Sequence, residues 1–174
     1  QSMMISLAMW MMKAIMVFLR MTGFTMTEPE LNIRPVQASD ETEWRRLWKL
    51  YLEYYETELP EEIYQTTFSR ILSDDPTTFF GMLALRGNQP IGLVHYVFHP
   101  SCWNIENVCY LQDLYVDKSQ RGKSIGRALI EAVYEKADEA GCPDVYWMTQ
   151  HFNEAGRRLY DRVATLSPFI IYER

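Results

Sequence analysis

The sequence predicts an α+β domain: a mixed, mostly antiparallel central sheet flanked by helices, preceded by an apolar helical extension. Three observations lead there. Strand-like and helix-like stretches follow the order β-α-α-β-β-β-α-β-α-β, with no internal repeat and no low-complexity tract. Three strand candidates run consecutively with short connections, which favours antiparallel neighbours. One strand–helix–strand unit, between residues 108 and 149, requires a parallel pair.

Each element has its own signal. Residues 31–36 form a first short strand ended by Pro35. Ser39 or Asp40 then caps a helix whose first turn is acidic. Trp44, Leu47, Trp48, Tyr51, Leu52 and Tyr55 recur at helical spacing, as a core stripe or as an aromatic wall for a substrate. A second helix covers 61–72 and stops at Asp74-Asp75-Pro76. Strands are expected at 78–85, 91–98 and 108–116, the first two joined by a turn over 86–90. Residues 124–140 form an amphipathic helix with Ile125, Leu129, Val133 and Ala137 on one stripe, ended by Gly141. A strand at 144–149, a helix at 153–163 and a last strand at 169–172 complete the order.

The chain has 174 residues, the size of one domain. Eight of its 10 Met lie in the first 26 residues. That segment carries Lys13 and Arg20 and no acid, whereas the 15 basic and 23 acidic residues that remain leave the body at −8. Residues 1–26 therefore read as an apolar extension, with Gln1-Ser2 as a tag scar, and 27–174 as the domain. The extension fits no membrane span, because Lys13 and Arg20 interrupt it well short of about 20 apolar residues. It fits no signal peptide either, because the charges interrupt and follow the apolar run instead of preceding it. It is expected to be a helix that packs on the body or on a second copy, giving a homodimer. The alternative is that translation starts at Met26. The acidic body argues against a nucleic-acid partner. Cys102, Cys109 and Cys142 form no CxxC pair, which points to a reducing, cytoplasmic setting. His95, His99 and Cys102 do not suggest a metal site, since strand residues four apart lie about 13 Å from each other; no metal is expected.

The segment Gln120-Arg121-Gly122-Lys123-Ser124-Ile125-Gly126-Arg127 follows a strand and opens a helix. That arrangement turns unpaired backbone N–H groups and the positive helix end toward one point, and glycines let a phosphate come close. Arg121, Lys123 and Arg127 add charge. A phosphate or pyrophosphate site is expected there; an ordinary helix start with surface basic residues is the alternative. The ATP-binding P-loop pattern fails, because Asp117 stands where it needs Gly.

Taken with Leu111-Gln112-Asp113-Leu114-Tyr115-Val116 upstream and Asn153-Glu154-Ala155…Leu159-Tyr160 downstream, this segment resembles the GNAT superfamily of acetyl-CoA-dependent N-acetyltransferases. The resemblance covers residues 31–174. One departure is Ser124, where the family's loop usually has Gly. The resemblance implies that the N–H groups of Gly122, Lys123, Ser124, Ile125 and Gly126 hold the pyrophosphate of acetyl-CoA, with Arg121 and Arg127 beside it. It implies that the backbone of Leu114, Tyr115 and Val116 pairs with the pantetheine arm between two parted parallel strands. It also implies that Asn153 binds that arm, that the N–H of Tyr115 or Val116 serves the carbonyl oxygen, and that Tyr160 is the general acid. The implied acceptor is a primary amine of a small molecule, polyamine or amino-acid-like. The nearest branches are the small-amine and polyamine enzymes and the yeast-type histone and D-amino-acid acetyltransferases. A lysine of a protein or histone tail, or a non-catalytic acyl-CoA-binding module, remains open. Polyamine enzymes carry Glu where this chain has Gln112, and Asp113 beside it is expected to face the other side of the strand, so the base is unassigned among Glu106, His151 and a water relay. The acidic run Glu53, Glu56, Glu58, Glu61 and Glu62 reads as a cation-attracting rim or as a solvated helix end.

Overall fold

In the computed structural model, residues 29–174 are described. The expected N-terminal helix lies outside the described residues. Leu31–Arg174 forms one compact unit. Its five strands are β1 (Leu31–Pro35), β2 (Phe80–Arg86), β3 (Gln89–Pro100), β4 (Asn107–Val116) and β5 (Asp144–Tyr146), in the spatial order β1-β2-β3-β4-β5. All neighbours are antiparallel except β4 and β5, which pair in parallel as the strand–helix–strand unit requires. The helices are α1 (Glu41–Tyr54), α2 (Glu61–Ile71), α3 (Ile125–Glu139) and α4 (Glu154–Tyr160).

The sheet buries both faces. On one, Met82, Ala84, Val94, Cys109 and Leu111 meet Ile125, Leu129, Ile130 and Val133 of α3. On the other, Leu83, Leu85, Leu93 and Tyr115 meet Trp44, Leu47, Trp48 and Leu52 of α1 and Phe68 and Ile71 of α2. Two-sided burial explains why β2 and β3 read as continuous apolar runs.

The helix cap at Asp40 differs from expectation. Its carboxylate makes no cap bond in α1. It accepts Nη1–H and Nη2–H of Arg34 at 2.6 and 2.9 Å and the N–H of Gln37 at 2.8 Å. This ties the start of α1 to β1, and the Arg34 bonds hold Asp40 below the usual carboxylate range.

The C-terminal third departs most. β5 has three residues, not six, and α4 ends at Tyr160 with turns to Ala164. Residues 169–172 form no strand; Phe169, Ile170, Ile171 and Tyr172 are exposed. An apolar run becomes a strand only where a neighbour offers a free ladder edge in reach, and this run is paired with none.

Candidate active site

β4 is not a regular strand. Its register against β3 passes from His95 opposite Asp113 to Tyr96 opposite Leu111, so Gln112 is an extra, unpaired residue. Such a bulge reverses which face each later side chain takes. Before it, Cys109 and Leu111 face α3; after it, Leu114 and Val116 take that face, and Tyr115 packs on the α1 side. Asp113 is thereby turned inward beneath α1.

β4 and β5 part beside the bulge. Their ladder runs from Val108–Asp144 to Tyr110–Tyr146 and ends, while β4 continues to Val116. The β4 edge from Leu111 onward lacks a strand partner on that side. The Asp117 N–H bonds the Ile91 carbonyl at 2.9 Å. Two residues back along an antiparallel ladder, Leu93–Tyr115 is the next hydrogen-bonded pair. The Tyr115 N–H is therefore spent on β3, and Leu114 and Val116 present their backbone to the gap. This corrects the expectation that Tyr115 offers its N–H there.

A narrow cleft occupies the parting. Leu111, Gln112 and Leu114 of β4, Ile130 of α3, Trp147 and Met148 after β5, Tyr160 of α4, and Tyr51 and Tyr55 from α1 and its end line it. Tyr160 rests edge-on to Trp147 at 5.4 Å and beside the Thr149 hydroxyl. Burial, then the neighbouring Tyr55 and Tyr54, pushes its phenol up to about 12, so it keeps its proton at neutral pH. Thus Tyr51 and Tyr55 of the aromatic stripe are wall, while Trp44, Leu47, Trp48 and Leu52 are core.

At one end of the β4 edge lies the turn into α3. Gly122 has φ +78°, and a Cβ there would meet nothing within 4 Å. Ser124 caps α3 at φ 61°, ψ 10°, a left-handed conformation that costs a non-glycine residue free energy. The N–H groups of Ile125 and Gly126, in the first turn, have no acceptor within the helix. Ile125 itself is core. A Cβ on Gly126 would come 3.2 Å from Leu159, so this glycine lets α4 approach. Arg121 donates from Nε to the Val116 carbonyl at 3.1 Å and stacks over the Tyr115 ring. Lys123 reaches the Gln120 side chain at 3.3 Å, and Arg127 pairs with Glu131 at 2.8 Å.

Asn153 caps α4: its Oδ1 accepts the Gly156 N–H at 3.1 Å and its Nδ2 donates to Thr149 at 3.0 Å. Both contacts hold the chain between β5 and α4 in place behind Tyr160. The expected base candidates fall elsewhere. Glu106 and His151 are exposed and do not line the cleft.

Sequence reasoning does not bring His95 and Asp113 together beside the cleft. Trp44 Nε1–H donates to His95 Nε2 at 2.7 Å. The imidazole hydrogen is then on Nδ1, which donates to Asp113 Oδ2 at 2.9 Å. Trp48 Nε1–H reaches the same oxygen at 3.2 Å. His95 and Asp113 are 2% and 7% exposed. His99 instead bonds the Tyr146 hydroxyl, and among the described residues no group of three or more side chains is placed to hold a metal.

A sheet split beside a bulge, a glycine-containing turn into a helix and a protonated phenol together suit an extended phosphorylated ligand and a proton donor. Comparison with known proteins gives the family. The family described as Acetyltransferase (GNAT) family matches residues 44–164. The D-amino-acid N-acetyltransferase HPA3 of Saccharomyces cerevisiae is 40% identical over 152 residues, 86% of this chain and 93% of that protein. The thialysine N-epsilon-acetyltransferase of Bos taurus is 34% identical over 70 residues, 40% of this chain and 41% of that protein. Among solved structures, the aminoglycoside N-acetyltransferase AAC(6')-Iy in complex with CoA superposes with TM-score 0.74 at 17% identity, covering 87% of this chain and 98% of that one. A ribosomal-protein-alanine N-acetyltransferase from Brucella melitensis superposes with TM-score 0.70 at 19% identity, covering 83% and 98%. The chain belongs to the GNAT acetyltransferase family.

Proposed function

We propose that the protein transfers an acetyl group from acetyl-CoA to the primary amine of a small, amino-acid-like molecule by direct attack. The observation that carries this reading is the early end of the β4–β5 ladder, with the α3 turn at one end of the exposed edge and Tyr160 over the cleft. Acetyl-CoA supplies an activated acetyl thioester. The N–H groups of Gly122 to Gly126 suit its pyrophosphate, with Arg121, Lys123 and Arg127 as flanking charge. The open backbone of Leu114 suits the pantetheine amides; the Val116 carbonyl already accepts from Arg121, and the Val116 N–H suits the carbonyl oxygen as it gains charge. Tyr160 gives its proton to the departing sulfur. Asn153 acts on this site by fixing the segment that carries Thr149 and Tyr160.

An amino-acid acceptor is supported by the HPA3 relative, whose name specifies D-amino acids. The narrow aromatic cleft favours a small amine over a protein tail. The proposal extends to a homodimer in a reducing, cytoplasmic setting. The three free cysteines and the exposed Phe169, Ile170 and Ile171 support it, and light scattering of the full chain tests the dimer. Among the described residues no helix is long and apolar enough to cross a membrane. The activity test is incubation with acetyl-CoA and a panel of D- and L-amino acids, polyamines and a histone-tail peptide, following free thiol. Release with a small amine supports the reading. Release with the peptide alone, or none at all, contradicts it.

A further inference from the structure

An amine cannot attack while it is an ammonium ion, and alkyl ammonium groups hold their proton up to about pH 10. Some group must take that proton. Gln112 lines the cleft, but an amide accepts none. The Gln112 bulge does something else: it sets Asp113 beneath the cleft, opposite His95.

The surroundings of Asp113 are built to hold a carboxylate in one orientation. From β3, His95 donates Nδ1–H; from α1, Trp48 donates Nε1–H; and Trp44 fixes the His95 ring from behind. Both donors are neutral N–H groups, because His95 Nε2 is occupied as an acceptor. The Tyr51 phenol of α1 lies beside the same carboxylate, and its ring is 5.0 Å from that of Tyr55. Tyr110, on β4 itself, also feels the Asp113 charge. Tyr51 and Tyr55 reach the cleft, where they stand with Gln112 and Tyr160. Burial, and then the Asp113 charge, raises Tyr51; burial is also the main cause for Tyr55. Both phenols keep their hydrogens and act as carriers.

We propose that the acceptor ammonium is deprotonated through Tyr55 and Tyr51 onto the buried Asp113 carboxylate, which His95, Trp44 and Trp48 hold in place. This rests on the acetyltransferase reading above. The ammonium N–H breaks as an O–H forms on Tyr55. The Tyr55 hydrogen passes to the Tyr51 oxygen, and the Tyr51 hydrogen passes to Asp113. A neutral amine and a neutral acid result. The amine attacks, the Tyr160 hydrogen goes to the departing sulfur, and the second nitrogen hydrogen restores Tyr160. After product leaves, Asp113 returns its proton to water along the same chain. One proton is released per turnover. Tyr55 touches the amine; Asp113 acts through it.

The test compares the full-length protein with its Tyr55→Phe and Asp113→Asn variants, reading thiol release across pH with ethylamine and with 2,2,2-trifluoroethylamine, which is neutral at pH 7. With ethylamine both variants are expected to lose about 10²–10⁴-fold in kcat/KM at pH 7, and the deficit is expected to shrink as pH approaches the amine pKa. With the fluorinated amine most of the deficit disappears. An equal loss for both amines at every pH, or no loss with ethylamine, overturns the relay while leaving acetyl transfer intact. Wild-type protein that releases no thiol with these amines or with any acceptor of the amino-acid and polyamine panel overturns the acetyltransferase reading and the relay with it. Tyr55 is only half-buried, so Tyr55→Phe folds even if Asp113→Asn does not.

Discussion

The two faces of the sheet are packed by different rules. Against α3 the contact is wholly apolar: Leu129, Ile130 and Val133 are fully buried on Ala84, Val94 and Cys109. Against α1 the same sheet buries an imidazole and a carboxylate between two indoles. An apolar face tolerates any shape-matched set of residues. A buried polar chain requires every donor to meet its acceptor, since each orphaned group costs free energy. The α3 face holds the fold; the α1 face holds polar, hydrogen-bonded groups next to the cleft.

Three substitutions probe that contrast. Leu129→Ala should cost the most stability, about 2–5 kcal/mol, because it leaves a cavity in the α3 face. Turnover per folded molecule should not change. Denaturant unfolding and assays on the folded fraction check both. Trp44→Phe should cost about 1–3 kcal/mol, by leaving His95 Nε2 buried without a donor. Unlike Leu129→Ala, it should also slow turnover of alkylamines, because His95 no longer fixes Asp113. Asp40→Asn should cost least, about 1–2 kcal/mol at pH 7, by breaking the charge-assisted pair with Arg34 at the start of α1. The Arg34 bonds lower the folded-state pKa of Asp40. Its contribution is therefore present above the unfolded value near about 4 and is lost as pH falls through the folded value. Melting temperatures of wild type and variant should differ at pH 7 and converge in acid.

The same contrast decides how much was legible in the sequence. The α3 face announces itself: Ile125, Leu129, Val133 and Ala137 follow helical spacing, and the turn before them carries Gly122 and Gly126. The mixed sheet, its parallel pair and the place of Tyr160 follow from element order. The α1 face does not announce itself. Its stripe mixes core and wall, and only depth separates Trp48 from Tyr51. The bulge at Gln112 has no glycine to mark it, so nothing local says that Asp113 turns inward to meet His95, 18 positions earlier in the chain. The same local view over-extends β5 and makes a strand of residues 169–172, because apolar runs reveal strand preference but not whether a partner edge is in reach.

Acetyl transfer in the parting of β4 and β5, with Tyr160 supplying the proton, is open to a direct test. Replacing Tyr160 with Phe removes one hydroxyl and keeps the ring against Trp147. Steady-state turnover and acetyl-CoA affinity, measured side by side, test it most directly. The expected result is a fall in kcat of about 10²–10⁴-fold with acetyl-CoA binding essentially unchanged. Turnover equal to wild type would remove Tyr160 from the chemistry and contradict the claim.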